Sequence, residues 1–138
     1  MTCIDTNIFS LIWNRHPNAK IVIHHLEQQR RKGNLVISPI VYAELFAYPN
    51  ITELFLQQFL EDTEVTVDEH LSFQSICLAG ERYADYAKRR LSEIGQPRRI
   101  LADFLVGAHA LEHKAVLLTF DKRRYQTDFP ELELIYPV

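Results

Sequence analysis

Four acidic residues, Asp5, Glu44, Asp103 and Asp121, are far apart in the chain, yet each stands where an apolar segment meets a break. Asp5 ends the opening segment Met1-Thr2-Cys3-Ile4, and Glu44 follows the break at Pro39. Asp103 lies early in an apolar helical stretch, and Asp121 closes the run from Ala115 to Phe120. A sheet fold gathers its functional side chains at such places. Carboxylates brought into one cleft repel one another and lose solvation, so they stay ionised there only when a cation neutralises them. Hard divalent ions prefer oxygen ligands, which makes Mg²⁺ or Mn²⁺ the expected occupant. Taken singly, each acid also has a plain reading: Asp5 as a helix N-cap, Glu44 as a helical surface charge, Asp103 as a first-turn acid, Asp121 as a loop cap.

A second pattern competes for attention. His109-Ala110-Leu111-Glu112-His113 places two histidines one helical turn apart, in the His-x-x-Glu-His order of inverted zinc peptidases. Only 25 residues follow His113, which leaves little room for a downstream helix to bring a third ligand. The pair therefore reads as polarity near a helix end. His24 and His25 read as helix surface, and His16 as loop.

Elements that would position the acids are legible as alternating strand and helix signals, which favour an α/β arrangement with a parallel sheet. Thr2 to Ile4 reads as a short strand and Thr6 to Trp13 as a helix. A break at Asn14 to Asn18 precedes a helix over Ala19 to Lys32, capped by Asn18, with basic residues in its last turn and Gly33 at its end. Leu35 to Ile37 is a strand, and Ser38-Pro39 supplies an N-cap and a first helical residue, placing Glu44 on the face of Ile40 and Ala47. Asn50 and Glu53 resemble a capping box for a helix ending near Asp62, ahead of a strand at Val65 to Val67. Glu69 to Ile94 reads as two helical segments interrupted near Gly80 and closed by Gly95. Ile100 to His113 is apolar nearly all round and hence a buried helix, with Asp103 sharing a stripe with Gly107 and Ala110 that invites close approach of another backbone. Ala115 to Phe120 is a core strand and Glu133 to Tyr136 a last one, at the sheet edge because Pro137 follows.

The chain has 138 residues, 47% of them hydrophobic and 24% charged, with no low-complexity stretch, as expected of one folded domain with a core of its own. A charge at Asp5 precludes a secretory h-region at the start, and no apolar run has the length of a membrane span, so the cytoplasm is the expected location. Cys3 and Cys77 have neither metal spacing nor a disulfide framework and read as small buried hydrophobes. Apolar and aromatic residues Phe46, Tyr48, Leu54, Phe55 and Phe59 read as core in preference to interface. The net charge of −3 argues against a polyanionic partner until its distribution is considered. Lys88, Arg89, Arg90, Arg98, Arg99, Lys114, Lys122, Arg123 and Arg124 give the stretch from 88 to 124 a local excess of +5, leaving −8 elsewhere. Arg98, Arg99, Lys122, Arg123 and Arg124 flank Asp103 and Asp121 in sequence and suit a phosphate backbone beside a cation-loaded cleft.

Four segments together carry a family resemblance: Ile4-Asp5-Thr6-Asn7, Ser38-Pro39-Ile40-Val41-Tyr42-Ala43-Glu44-Leu45, Ile100 to Ala110, and Leu117-Leu118-Thr119-Phe120-Asp121. In this order the chain resembles a PIN domain, and within that group a VapC-type toxin of a toxin-antitoxin pair. The closing Asp128-Phe129-Pro130-Glu131-Leu132 also looks like that family's end segment. The resemblance implies a three-layer α/β/α sandwich around a central, mainly parallel sheet, with the four acids at its carboxyl edge holding Mg²⁺ or Mn²⁺. It implies an endoribonuclease in which one or two ions polarise the scissile phosphate and activate a water for in-line attack. Asp5, Glu44 and Asp103 are then the main ligands, with Asp121 completing or orienting the shell, and Thr119 and Asn7 flank the site as uncharged polar groups. A cognate antitoxin and a homodimer are implied as well.

Two other readings stand beside it. Asp5-Thr6-Asn7 after a first strand also suggests a phosphoaspartate-type phosphohydrolase or receiver-like domain; Asn7 stands where that class carries a second acid, while Lys122 leaves its sheet-edge lysine open. A PIN fold retained for binding without turnover is the other, although all four acids are present.

Overall fold

The computed structural model describes residues 1–90 and 100–137. Its frame is a five-stranded sheet built from β1 (Thr2–Ile4), β2 (Leu35–Ile37), β3 (Val65–Val67), β4 (Val116–Leu118) and β5 (Leu134–Ile135). Every pairing is parallel, in the order β3-β2-β1-β4-β5. Three-residue strands this apolar suit a sheet covered on both faces, and Cys3, Ile4, Leu35, Ile37, Leu117 and Leu118 are all buried. Helices α1 (Thr6–Trp13), α2 (Ala19–Lys32), α3 (Pro39–Leu45), α4 (Glu53–Asp62), α5 (Phe73–Arg90), α6 (Leu101–Glu112) and α7 (Lys122–Asp128) complete an α/β/α sandwich. No helix among the described residues is long and apolar enough to cross a membrane.

The strand order creates the functional geography. Chain progression runs one way from β1 through β2 to β3 and the other way through β4 to β5, so the connections diverge between β1 and β4. In an open parallel sheet this divergence leaves a crevice at the carboxyl ends of the two strands. Asp5 is the residue after β1, and Thr119 the residue after β4.

Local chemistry explains most boundaries. Asp5 caps α1, its side chain accepting from the Thr6 amide at 2.8 Å. Ser38 caps α3 by accepting from the Val41 amide, with Pro39 at the first helical position. Buried α6 contributes Phe104, Val106, Ala108 and Ala110 to the core.

Several expectations are corrected. The region after β3 is not two helices broken near Gly80: α5 runs unbroken from Phe73 to Arg90, because one glycine on an exposed face costs only about 1 kcal/mol of helix stability, too little to offset the packing of α5 on α6. Thr52, not Asn50, caps α4, accepting from the Phe55 amide, while Asn50 takes a left-handed turn conformation at φ 64°. Asn18 occupies the N-cap of α2 without a side-chain cap bond; its amide instead donates to His16 Nδ1. Cys77 is exposed, unlike buried Cys3. Phe46, just past the end of α3, is also exposed, as are Leu54 and Phe55, because α4 turns these last two outward and buries Leu56 and Leu60 instead. The small stripe on α6 admits a ring, not a backbone: a Cβ on Gly107 would stand 2.5 Å from Phe129 Cε2.

Candidate active site

The four predicted acids are linked around the crevice by three short bridges. Thr119 Oγ1 donates to Asp5 Oδ2 at 2.8 Å and accepts from the Asp121 amide at 2.9 Å, tying the end of β1 to the start of α7. Thr6 Oγ1 donates to Glu44 Oε1 at 2.8 Å, tying α1 to α3. Arg124 Nη1 lies 3.1 Å from Asp103 Oδ2 and 3.4 Å from Asp121 Oδ2, tying α6 to α7. Asn7 stands inside the same network: its Nδ2 donates to Asp5 Oδ2 at 3.4 Å and its Oδ1 accepts from the Phe120 amide at 3.2 Å.

Asp5 is the electrostatic centre. It is buried, and desolvation pushes its carboxyl up to about 6. Hydrogen bonds from Thr119 and the Thr6 amide oppose that rise, whereas the negative charges of Asp103 and Glu44 add to it. A carboxyl raised chiefly by burial, with two acidic neighbours adding to the rise, favours a proton or a cation beside it. Asp103 and Glu44 are half-buried, and the Asp121 side chain is 47% exposed, so depth decreases from Asp5 outward to Asp121. This ordering suits Asp5 as an inner ligand and Asp121 as an outer one.

The predicted basic residues divide. Lys122 and Arg123 are exposed on the first turn of α7, next to Asp121. Arg124 points inward onto Asp103 and Asp121. Arg98 and Arg99 lie outside the described residues. Sequence reasoning missed Thr6 as the bridge to Glu44; its signal was a hydroxyl placed directly after Asp5 at the first position of a helix.

The histidine pair lies near the end of α6 and meets a third side chain there. His109 is buried, and its Nε2 lies 2.8 Å from Asp68 Oδ2, with His113 Nε2 3.3 Å from the same oxygen. Among the described residues, Asp68, His109 and His113 are the group of His, Cys, Asp or Glu side chains near enough to share a metal ion, with their ligand atoms within 4.8 Å of one another. The carboxylates of the crevice are spread more widely than this, with Arg124 between two of them. Cys3 Sγ is 3.8 Å from His109 Nδ1, and burial pushes its thiol up to about 12, so it remains protonated.

The family model for the PIN domain matches residues 2–130. The chain belongs to the PIN domain family. Ribonuclease VapC1 of Haemophilus influenzae (strain R2866) is 27% identical over 125 residues, covering 89% of this chain and 88% of the relative. Among solved structures, VapBC-1 from nontypeable Haemophilus influenzae aligns with a TM-score of 0.69 at 25% identity, covering 97% of this chain and 96% of that one. VapBC2 from Rickettsia felis, bound to a DNA fragment from its promoter, gives 0.71 at 24% identity with the same coverage and bears on the fold. The strand order seen here, β3-β2-β1-β4-β5, also differs from the 2-1-3-4-5 order of receiver-type folds, which removes the receiver-like alternative.

Proposed function

We propose that this PIN domain is a metal-dependent endoribonuclease, the toxin of a toxin-antitoxin pair. The observation that carries the reading is the convergence of Asp5, Glu44, Asp103 and Asp121 on the crevice between β1 and β4, linked through Thr6, Thr119 and Arg124. Likeness to Ribonuclease VapC1 supports the substrate class. All-oxygen donors, with a buried carboxylate at the centre, fit Mg²⁺ or Mn²⁺ better than softer ions.

A bound divalent ion would supply Lewis acidity toward a phosphoryl oxygen and lower the pKa of water. The chain's own residues do the rest. Asp5, Glu44 and Asp103 would hold the ion, directly or through water. Asp121, more exposed, would orient the outer shell. Thr119 and Asn7 fix the Asp5 carboxylate, and Thr6 fixes Glu44, so that the oxygens are held before substrate arrives. Lys122 and Arg123 offer positive charge at the rim for the RNA backbone, and Arg124 would exchange its carboxylate partners for phosphate. These roles leave the phosphoaspartate reading without support, since Asn7 is committed to Asp5 and the Phe120 amide.

The antitoxin would seat on apolar surface that the fold leaves open. A groove between α2 and α4 is lined by Phe9, Ile12, Ile23, Leu26 and Phe59, with Ile23 and nearby Phe55 exposed. The VapBC complexes among the structural neighbours support a protein partner, and a second copy of the chain is the other expected associate. An assay of Mg²⁺- or Mn²⁺-dependent cleavage of single-stranded RNA tests the reading: Asp5→Asn abolishes turnover while the protein stays folded. Unchanged cleavage by Asp5→Asn would end it.

A further inference from the structure

On the sheet face covered by α6, three side chains that the crevice does not use converge on one point. Asp68 is the first residue after β3; His109 and His113 lie one turn apart near the end of α6. At a rise of 1.5 Å per residue, His109 is about 9 Å and His113 about 15 Å along the helix axis from Asp103, so this cluster does not share an ion with the crevice.

We propose that Asp68, His109 and His113 form a metal site, separate from the acidic crevice, for a late first-row divalent ion such as Zn²⁺. Two imidazole nitrogens and one carboxylate oxygen match the ligand preferences of such ions, where the crevice offers only oxygen. The spacing fits as well. A tetrahedral ion with bonds of about 2.0 to 2.1 Å separates its ligand atoms by about 3.3 Å. Here the Asp68 oxygen lies 2.8 Å from one Nε2 and 3.3 Å from the other.

Neighbouring groups set the ligands up. Asp68 Oδ1 accepts from the His70 amide at 3.0 Å, which leaves Oδ2 facing both histidines. His109 turns its other nitrogen, Nδ1, toward Cys3 Sγ at 3.8 Å, a partner for the proton when Nε2 presents its lone pair. The His113 side chain is 38% exposed, so an ion reaches the cluster from solvent, and a fourth position remains on that side for water.

The site is structural, not hydrolytic. Glu112, which would be the general base of a His-x-x-Glu-His peptidase, is turned away and accepts hydrogen bonds from Ser72 and Ser75. Binding would pin the end of β3 to α6, a tie between an edge strand and a helix that also carries Asp103.

Co²⁺ serves as a coloured stand-in for Zn²⁺. Titrated into the purified full chain, Co²⁺ should give the visible absorption of a low-symmetry, nitrogen-ligated ion, bleached by Zn²⁺. Asp5→Asn, which disables the crevice, should leave that spectrum and its midpoint unchanged. His113→Ala should weaken binding at least about tenfold, and Asp68→Asn should do the same. Because His113 is largely at the surface, its loss leaves the core intact, which far-UV circular dichroism checks. Zn²⁺ should also raise the unfolding temperature of the parent and of Asp5→Asn, but not of His113→Ala. Absence of the spectrum in the parent protein, parent-like binding by folded His113→Ala, or loss of binding in Asp5→Asn would each overturn the proposal.

Discussion

Thr119 Oγ1 donates to Asp5 Oδ2 at 2.8 Å from a fully buried position, and the same hydroxyl accepts from the Asp121 amide. One atom therefore holds the deepest acid of the crevice and sets where the outermost begins. Thr119→Val keeps the shape of the side chain and removes both bonds, leaving a carboxylate oxygen and an amide short of partners. The expected cost is about 1–3 kcal/mol in chemical denaturation. Thr119→Ser should recover most of it. Because this hydrogen bond opposes the rise in the Asp5 pKa, the acid limb of the activity profile should move to higher pH in Thr119→Val and return in Thr119→Ser.

The pH response of the whole protein follows from the same carboxyl. Asp5 has an ordinary pKa of 3.8 and about 6 in the fold, with desolvation as the leading cause. Between those values the folded, metal-free protein binds a proton that the unfolded chain has released, so the Asp5 contribution to stability is greatest below 3.8 and is lost as pH rises to about 6. Its full size is about 3 kcal/mol. Mn²⁺ requires the ionised form, so the ion's stabilising effect should be small near pH 5 and large above about 6.5. Thermal unfolding with and without Mn²⁺ across that range measures both. An ion effect of equal size at both ends would show that Asp5 does not titrate in the binding step.

Much of this arrangement was readable because the parallel sheet is built from short apolar runs, each followed by the residue that matters. Asp5 after Ile4 needed only the strand end to be located, whereas Thr119 fell inside the strand expected over Ala115 to Phe120, which ends at Leu118. Asp68 after Val67 obeys the same rule. It escaped notice because the histidines it meets lie 41 and 45 residues later, and a third ligand was sought downstream of them. The bond of Thr6 to Glu44 and the inward turn of Arg124 were hidden for another reason: a hydroxyl's partner and an arginine's direction depend on how α1 meets α3 and α7 meets α6, which no local pattern specifies. The outward turn of Leu54 and Phe55 is likewise a property of packing, since α4 has apolar residues on more than one face.

Arg124 occupies ground that a cation would claim. Its guanidinium lies between Asp103 and Asp121, so an ion binding there competes with an internal positive charge. Arg124→Ala should tighten Mn²⁺ binding by about three- to tenfold, read by calorimetry on the RNA-free protein. The same variant should show a higher KM for RNA, because the side chain is then missing from the phosphate track. Weaker Mn²⁺ binding in the variant would mean that Arg124 organises the acids for the ion and does not compete with it.

Two glycines on packed helices should respond in opposite directions. Gly107, on α6, faces Phe129, a fully buried ring; an added Cβ would stand 2.5, 2.7 and 3.0 Å from three of its carbons. That ring cannot withdraw freely, being held against Phe104 and covered by the Arg82 guanidinium. Gly107→Ala should therefore destabilise by about 1–3 kcal/mol, since overpacking moves a ring that other side chains fix in place. Gly80, on the exposed face of α5, has nothing within 4 Å of an added Cβ. Gly80→Ala should stabilise by about 0.5–1 kcal/mol, through the backbone freedom that alanine denies the unfolded chain. Urea midpoints of the two variants decide the matter. If both substitutions shifted stability the same way, helix propensity and not the contact with Phe129 would govern Gly107.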